Sequence, residues 1–327
     1  MQYRRLGRTG LKLSALSFGS WVTFSNQVDR KQAETMLAAA YEAGVNFFDN
    51  SESYAHGRSE ELMGEALKQL GFARDTWCVS SKVFFGRVPD PRPTQRGLAR
   101  KHVVEACHAA LRRLQVDHLD LFFCHRPDPE TPTAEVVRTM NALIAQGKVL
   151  YWGTSEWSAP EIAEAHAIAE RLGLEPPAME QPQYNLFHRR RMEVEYAPLF
   201  RDLGIGTTVW SPLASGVLAG KYANGIPDDS RVRVKGYEWL QERVTSELGR
   251  ARVRAANEAA ALARELDATP AQLALAWCLA KPNVSTVILG ASRPAQLQEN
   301  LGALAVRERL NDAVVARLEK LTEAAAE

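Results

Sequence analysis

The sequence carries few of the features that would place a protein on nucleic acid or in a membrane. Its 40 basic and 39 acidic residues leave a formal net charge of +1, which gives no electrostatic basis for binding nucleic acid or an anionic membrane surface. No apolar run is long enough to span a bilayer, and the N-terminus lacks the apolar core of a signal peptide. We therefore expect a cytoplasmic protein with no membrane span and no nucleic-acid partner.

Cysteine is scarce, and glycine is not arranged in a nucleotide-binding motif. The four cysteines form no CxxC pair and have no metal-ligand spacing, so the sequence predicts neither a disulfide framework nor a metal site. Cys78 and Cys124 lie in apolar runs that are typical of buried strands. No GxGxxG follows a predicted strand, which argues against Rossmann-type binding, and the segment 216–222 is one residue short of a P-loop.

What the sequence does contain is a regular alternation of strands and helices. Residues 2–14 predict a β-hairpin around a turn at Gly7–Gly10. Eight alternating units without an internal linker favour a single closed (β/α)₈ barrel over residues 1–327. Two doubly wound domains are the alternative, but the chain shows no shift in composition at a boundary. The strands are predicted at 15–18, 46–49, 77–83, 119–124, 149–154, 178–180, 206–210 and 284–289.

Capping signals in the sequence predict where several helices begin. Capping boxes are predicted at Asp29 with Gln32 and at Ser158 with Glu161, and Thr269 precedes a proline at the first helical position. The exception to the alternation is the segment 211–250, which follows the seventh strand and is too long for an ordinary loop. We expect a flap or an inserted subdomain there. Further helices are predicted at 59–70, 101–114, 132–145, 190–203, from 294, and within 305–327.

In such a barrel the residues that follow the strands meet at one mouth, where enzymes of this architecture keep their chemistry. Tyr54 lies in the loop after the second strand. Taken singly, each residue at the mouth has an ordinary structural interpretation, but four protonic groups on three consecutive strands indicate an active site. The residues predicted at the strand ends are Asp49, Lys82, His125, Ser155, Gln181, Trp210 and Gly290.

The four protonic groups are suited to protonating a carbonyl oxygen. A free phenol titrates near pH ~10, and a neighbouring ammonium lowers that pKa. A buried carboxylate keeps the ammonium charged, and an imidazole N–H can hold the carbonyl oxygen in place. The reaction also needs a hydride, which implies a nicotinamide cofactor and no metal. A barrel aldolase or isomerase that uses Lys82 as a Schiff base is an alternative.

Several ordered segments together resemble the aldo-keto reductase superfamily over essentially the whole chain. Within it, the similarity is to the branch that contains the potassium-channel β-subunits and their bacterial reductase relatives. The segments are GVNFFDNSESY and EELMG within 44–64, FFCHRPD at 122–128, GKVLYWGTSEWS at 147–158, WSPLASGVLAGKY at 210–222, RVRVKGYEWL at 231–240 and VILGASRPAQLQEN at 287–300.

The resemblance implies NADPH-dependent reduction of aldehydes or ketones. Tyr54 would be the proton donor, Lys82 its partner, Asp49 the carboxylate that pairs this lysine, and His125 the group that orients the substrate. Trp21 would border both nicotinamide and substrate. The resemblance further implies a cofactor site in which Ser155, Gln181 and Trp210 meet the nicotinamide, with Asp49 beside it. Ser211, Leu213, Ser215, Gly216 and Lys221 would close over the pyrophosphate, and Arg231, Ser292, Gln296, Glu299 and Asn300 would meet the adenosine end.

The sequence departs from the family pattern at several positions. His125 stands where the channel β-subunits carry asparagine, and histidine is the usual catalytic form. Glu156 replaces the common asparagine of the carboxamide site. Gly290 and Gln296 replace the usual lysine and arginine at the 2′-phosphate, as in the channel-related branch. We expect NADP(H) because basic residues remain available at Arg231, Arg233 and Arg293, while NAD(H) stays open.

The substrate itself is not specified by the sequence. An aromatic rim would suit small or aromatic aldehydes, and we expect it to comprise Trp21, Phe84, Phe85 and Trp157, with Tyr184 nearby. Arg87 and Arg126 could meet an anionic group or form structural ion pairs. The alternative function is a cofactor-binding interaction protein like a channel β-subunit; His125, and a chain that starts almost directly at the hairpin, favour the reductase. The branch implies a homo-oligomer, often a tetramer.

Overall fold

The structure, a computed structural model, describes residues 1–21, 23–24, 28–228, 230–233 and 238–326, without the side chains of Arg231 and Glu238. The chain begins with an antiparallel hairpin of β1 (Tyr3–Arg5) and β2 (Lys12–Ser14), which confirms the predicted hairpin. Its turn packs against the barrel: a Cβ at Gly7 would lie 2.4 Å from the carbonyl oxygen of Gly204. The hairpin therefore covers the amino end of a barrel strand.

Eight parallel strands close into a barrel in which the last strand pairs with the first, so the (β/α)₈ prediction is confirmed. The predicted strands agree with the observed ones to within two residues at each boundary. The strands are β3 (Leu16–Gly19), β4 (Phe47–Asp49), β5 (Cys78–Val83), β6 (Leu119–Cys124), β7 (Val149–Thr154), β8 (Met179–Glu180), β9 (Gly206–Val209) and β10 (Thr286–Leu289).

Helices surround the barrel, and the three capping signals hold: Asp29, Ser158 and Thr269 each accept a hydrogen bond from the backbone three residues on. The helices are α1 (Arg30–Glu42), α2 (Arg58–Leu70), α3 (Arg100–Leu114), α4 (Thr133–Ala145), α5 (Ala159–Leu172), α6 (Glu238–Thr245), α7 (Glu247–Glu265), α8 (Pro270–Ala280), α9 (Pro294–Leu301), α10 (Ala303–Arg309) and α11 (Asp312–Thr322). Within the described ranges, none is both long and apolar enough to cross a membrane.

Three segments differ from the sequence-based expectation. Residues 190–203 form two π-helical stretches rather than one α-helix, because Pro198 has no N–H to donate and the N–H of Tyr196 bonds five residues back, to Arg191. The long interruption after β9 contains α6 and the beginning of α7. The C-terminal helix is broken before α11, where Asn311 caps the new N-terminus.

Strand pleating decides which side chains enter the barrel. Alternate residues face the interior, where Phe47, Cys78 and Phe123 belong to a small apolar cluster next to the hairpin. The other strand face packs against the helices in a much larger core that includes Phe48 and Phe122. The barrel is thus filled with apolar groups at its amino end, and the following inward positions at the carboxyl end carry polar groups.

Candidate active site

The pleat carries the predicted catalytic residues to one place. Asp49 is two positions beyond the inward-facing Phe47, and His125 is two positions beyond Phe123. Lys82 follows Cys78 by four positions in β5 and therefore faces the same way. Three neighbouring parallel strands consequently deliver an acid, an ammonium and an imidazole to the carboxyl end of the barrel.

Lys82 is the centre of this cluster. Its side chain is 0% exposed, and its Nζ lies 2.7 Å from Asp49 Oδ2, 2.8 Å from the Asn50 carbonyl oxygen and 3.0 Å from the Tyr54 hydroxyl. An ammonium has three N–H donors, so each has an acceptor. Because the Tyr54 oxygen accepts a hydrogen bond from Lys82, its own proton remains to be donated, and the described residues offer it no acceptor.

The charges around this cluster set the protonation states. Burial by itself would lower the pKa of Lys82, but Asp49 and Tyr54 outweigh it and the net pKa is raised. The phenol departs from the sequence-based expectation: burial raises the pKa of Tyr54, and the charge of Lys82 opposes that rise without reversing it. At neutral pH the site therefore combines a charged ammonium with a protonated phenol.

His125 stands beside the phenol. Burial, together with the charges of Lys82 and Arg126, holds the pKa of His125 well below its usual range, so the ring is neutral. Its Nδ1 lies 3.1 Å from the Ser51 hydroxyl. The ring centroid is 5.9 Å from that of Tyr54 and 5.0 Å from that of Phe85, both edge-on.

The loop that carries Tyr54 is fixed by its own backbone and by a buried carboxylate. Ala55 and His56 adopt left-handed backbone angles, with φ of 46° and 53°, which is costly for residues with a Cβ. Glu52 accepts hydrogen bonds at 3.0 Å from the backbone N–H groups of Phe84 and Gly86, tying this loop to the next one. His102 is buried as well and reaches the other oxygen of Glu52.

Polar groups on the next strands extend the site away from the phenol. The Ser155 hydroxyl donates to the carbonyl oxygen of Gln181 at 2.8 Å. The amide nitrogen of Gln181 donates at 3.1 Å to Asp49 Oδ1 and to Thr208. Together they form a polar wall that begins at the Asp49–Lys82 pair.

Glu156, which replaces the asparagine expected from the resemblance, supports this wall. Its Oε1 accepts from the indole N–H of Trp210 at 2.9 Å and from the backbone N–H of Gln183 at 2.6 Å, and its Oε2 lies 2.7 Å from Arg191. The residue has a left-handed φ of 61°. Glu156 therefore holds the indole of Trp210 in position.

Asp49, Tyr54 and His125 line a cleft of about 450 Å³. Trp21, Phe85 and Trp210 line it, as do two residues that the sequence did not single out, Trp239 and Arg243. Trp21 contacts both of the other tryptophans, with ring centroids about 6 Å apart. The other described residues that line the cleft include Ser53, Arg126, Ser155, Gln181, Ser211 and Gly290.

Part of the predicted aromatic rim lies elsewhere. Trp157 is only 3% exposed and packs in the core behind the strands, and Tyr184 is likewise buried, with its hydroxyl donating to Glu193. Phe84 packs against the same core and edge-on to Phe85. The described residues that line the cleft include none of these three side chains. Strand alternation alone would turn Trp157 towards the mouth, because it is two positions beyond the cleft-lining Ser155. The strand has ended at Thr154, however, and the left-handed Glu156 redirects the chain before Trp157.

A second cavity of about 240 Å³ shares Gly290 with the cleft. It brings together most of the residues expected at the pyrophosphate and adenosine, whereas Ser215 is buried beside it. The Arg231 side chain lies outside the described part of the chain, and Arg233 is exposed and paired with Asp228. The lining residues include Leu213, Gly216, Lys221, Ser292, Arg293, Gln296, Glu299 and Asn300.

Signals for the missed residues are weak in the sequence. Trp239 and Arg243 lie one helical turn apart on α6, but this helix falls in the segment 211–250, which was expected to be a flap or an inserted subdomain without assigned elements. Arg87 lies next to the tight Gly57 turn, where a Cβ would come within 2.7 Å of its side chain, and the cleft-lining arginines are Arg126 and Arg243 instead.

Comparisons with known proteins agree with this geometry. Residues 15–323 match the model of the Aldo/keto reductase family. The chain is 49% identical over 323 residues to a "Probable voltage-gated potassium channel subunit beta" of Arabidopsis thaliana, covering 98% of this chain and 96% of that protein. It is 50% identical over 324 residues to a protein of the same description from Oryza sativa subsp. japonica, covering 99% and 97%. The chain therefore belongs to the Aldo/keto reductase family.

Proposed function

We propose that this protein reduces small aldehydes or ketones to alcohols with NADPH, with Tyr54 as the proton donor. The observation that carries the proposal is the position of Lys82 Nζ, 2.7 Å from Asp49 and 3.0 Å from the Tyr54 hydroxyl, buried behind a cleft that Asp49, Tyr54 and His125 line. General acids placed in this way are expected where a carbonyl oxygen is protonated.

The residues present fit a nicotinamide cofactor. The two cavities are neighbours that share Gly290 in their lining, and the polar wall of Ser155 and Gln181 lies in the first of them. In the second, basic Lys221 and Arg293 suit phosphate, close to the start of α9. Gly19 lines the first cavity, and a Cβ there would lie 2.6 Å from Ile288, so only glycine fits at that wall. The NADP(H) preference rests on Arg293, which lines the second cavity, because Lys221 would meet the pyrophosphate that NAD(H) also carries.

Each of the four predicted catalytic residues then has its own role in the reaction. The bound cofactor supplies the hydride. Tyr54 gives its free hydroxyl proton to the carbonyl oxygen, and Lys82 stabilises the phenolate that remains. Asp49 keeps Lys82 charged and oriented. His125, as a neutral imidazole, can donate one N–H to the same oxygen and hold it near the phenol. Tyr54 recovers its proton from solvent.

The cleft also indicates the kind of carbonyl compound. Its open side is formed by Trp21, Phe85 and Trp239, which suit a flat or apolar group. Arg126 and Arg243 also line it, and the one acid among its described lining residues, Asp49, is paired with Lys82. We expect aromatic aldehydes to be accepted and a carboxylate on the ring to be tolerated or favoured.

The test is NADPH oxidation with 4-nitrobenzaldehyde and 4-carboxybenzaldehyde. Tyr54→Phe removes the proton donor, and general acid–base catalysis contributes about 10²–10⁴-fold, so kcat should fall by that order while NADPH still quenches tryptophan fluorescence. Tyr41→Phe is the matched control, because Tyr41 lies on α1 with its hydroxyl on Thr76, outside the cleft. Undiminished turnover in Tyr54→Phe would refute the proton-donor role.

A channel-partner function is the second candidate, because both relatives described above are named as channel β-subunits. It would show as tight NADPH binding without turnover across a panel of aldehydes. The Schiff-base alternative is disfavoured, because Lys82 is held as a charged ammonium by three acceptors. In either function we propose that residues 1–327 act as one barrel unit, in the cytoplasm and within a homo-oligomer.

A further inference from the structure

The mechanism above does not use Ser51, a buried serine next to His125, the histidine proposed to orient the substrate. Ser51 follows Asp49 by two residues, and it is 0% exposed. Its hydroxyl lies 3.1 Å from Nδ1 of His125. Within the described part of the chain, this is the one hydrogen bond made by the imidazole nitrogens of His125. The contact joins the loop of the proton donor to the end of β6.

The surroundings of Ser51 indicate which group donates. Its oxygen accepts a hydrogen bond from the backbone N–H of Ser53 at 3.4 Å. Its own hydrogen can go to His125 Nδ1 at 3.1 Å, to the Ser53 hydroxyl at 3.2 Å or to the Lys82 carbonyl oxygen at 3.5 Å. The shortest of the three contacts is the one to the imidazole. This order of distances favours the Ser51 hydroxyl as the donor and Nδ1 as the acceptor.

This direction has a chemical consequence. A neutral imidazole has one N–H, and when Nδ1 accepts a hydrogen bond, the proton must be on Nε2. The His125 side chain lines the cleft beside Tyr54. The tautomer with Nε2–H can donate to a carbonyl oxygen in the cleft, whereas the other tautomer would present a lone pair to that oxygen and repel it.

We propose that Ser51 is a positioning residue that selects the Nε2–H tautomer of His125 for carbonyl binding. The role in catalysis rests on the proposed reductase function, but the tautomer assignment does not. Ser51 would not touch the substrate; it acts through His125.

The tautomer can be read directly by ¹⁵N NMR of histidine-labelled, cofactor-free protein, with His125→Gln used to assign the signals. We expect the wild type to show an unprotonated Nδ1 and a protonated Nε2 at neutral pH. In Ser51→Ala the donor to Nδ1 is lost, so the two nitrogen shifts of His125 should move towards each other as both tautomers become populated. Ser51→Thr keeps a hydroxyl and should restore the wild-type pattern.

Ser59→Ala is the matched control, because Ser59 is another fully buried serine in the same region, and its hydroxyl has no hydrogen-bond partner among the described residues. It should leave the His125 signals and the turnover unchanged. In the aldehyde assay, Ser51→Ala should lower kcat/KM roughly fivefold, the equivalent of one neutral hydrogen bond, and Ser51→Thr should recover most of it.

The results separate the two proposals. A wild-type His125 with its proton on Nδ1, or signals that Ser51→Ala does not move, would overturn the role of Ser51 whether or not the protein turns over aldehydes. Wild-type protein with the expected tautomer but no turnover would leave the Ser51–His125 assignment supported and count against the reductase. Full activity in Ser51→Ala with altered tautomers would overturn the catalytic part of the inference.

Discussion

Replacing Lys82 by methionine would test whether the buried Asp49–Lys82 ion pair, besides its proposed part in catalysis, stabilises the fold. Methionine keeps the length of the side chain and removes its charge. Asp49, which is 3% exposed, would then keep hydrogen bonds from Ser80 at 2.7 Å and from Gln181 at 3.1 Å. It would have no neighbouring cation, and the Asn50 carbonyl oxygen would lose its donor.

The expected loss is large. Removing one partner of a buried ion pair costs about 3–5 kcal/mol of unfolding free energy, because the remaining charge stays desolvated. Two donors remain on Asp49, so we expect Lys82→Met to lie near the lower end, at about 3 kcal/mol. In the double variant Asp49→Asn/Lys82→Met no charge is buried, and the loss should shrink to about 1 kcal/mol. The coupling between the two sites is then about 2 kcal/mol or more.

Urea unfolding of the cofactor-free protein, followed by tryptophan fluorescence and circular dichroism, gives these values at pH 7. Repeating the Lys82→Met measurement at pH 5 should show a smaller loss, because the unpaired carboxyl can take up a proton. For the wild type, the raised pKa of Lys82 means that its contribution is complete below about pH 10 and is lost as the pH rises above the folded-state value. A double variant that is less stable than Lys82→Met alone would refute this reasoning.

Two further carboxylates give predictions of their own. Burial raises the pKa of Glu180 to about 8, and the hydrogen bond from Thr154 opposes that rise. Between about pH 5 and pH 8 the folded protein therefore keeps a proton on Glu180 that the unfolded chain releases. The free energy of unfolding should fall as the pH rises through this range. Glu180→Gln should flatten that dependence in urea titrations at several pH values, and an unchanged slope would contradict the assignment. Glu156→Ala removes the acceptor of the Trp210 indole and the partner of Arg191, and should cost about 1–2 kcal/mol and shift the tryptophan emission. Glu156→Gln keeps an acceptor and should lose less; equal losses in the two variants would indicate that the indole hydrogen bond contributes nothing.

Local signals in the chain explain why so much of the fold could be predicted. The apolar runs that became β6 and β7 have their observed boundaries in the sequence, and the capping boxes at Asp29 and Ser158 mark two helix starts. These features depend on neighbours within a few residues. The π-helical stretches at 191–195 and 199–203 were not predictable in this way, because their widened turns accompany a buried Tyr196 whose hydroxyl reaches the carbonyl oxygen of Trp157.

In the candidate site, too, some positions follow from local sequence patterns and others depend on tertiary structure. The strand ends placed Asp49, Lys82 and His125 at one mouth, because inward positions follow from the pleat once the barrel is assumed. The position of Tyr54 needed the left-handed turn that follows it. Trp157 is aromatic and near a strand end, which predicts a place at the rim, but the left-handed backbone of Glu156 turns the chain and Trp157 packs in the core.

The sequence by itself determined the eight-fold alternation, the helix caps and the residues that end each strand, since all of these are set by periodicity and local backbone chemistry. Only the tertiary structure decided which of those groups touch. Lys82 Nζ meets Asp49 and Tyr54 across 33 and 28 residues of chain, and α6 brings Trp239 to the cleft from a segment without a strand signal. Contacts of that kind depend on barrel closure and packing, which set the distances between elements. No local sequence pattern encodes those distances.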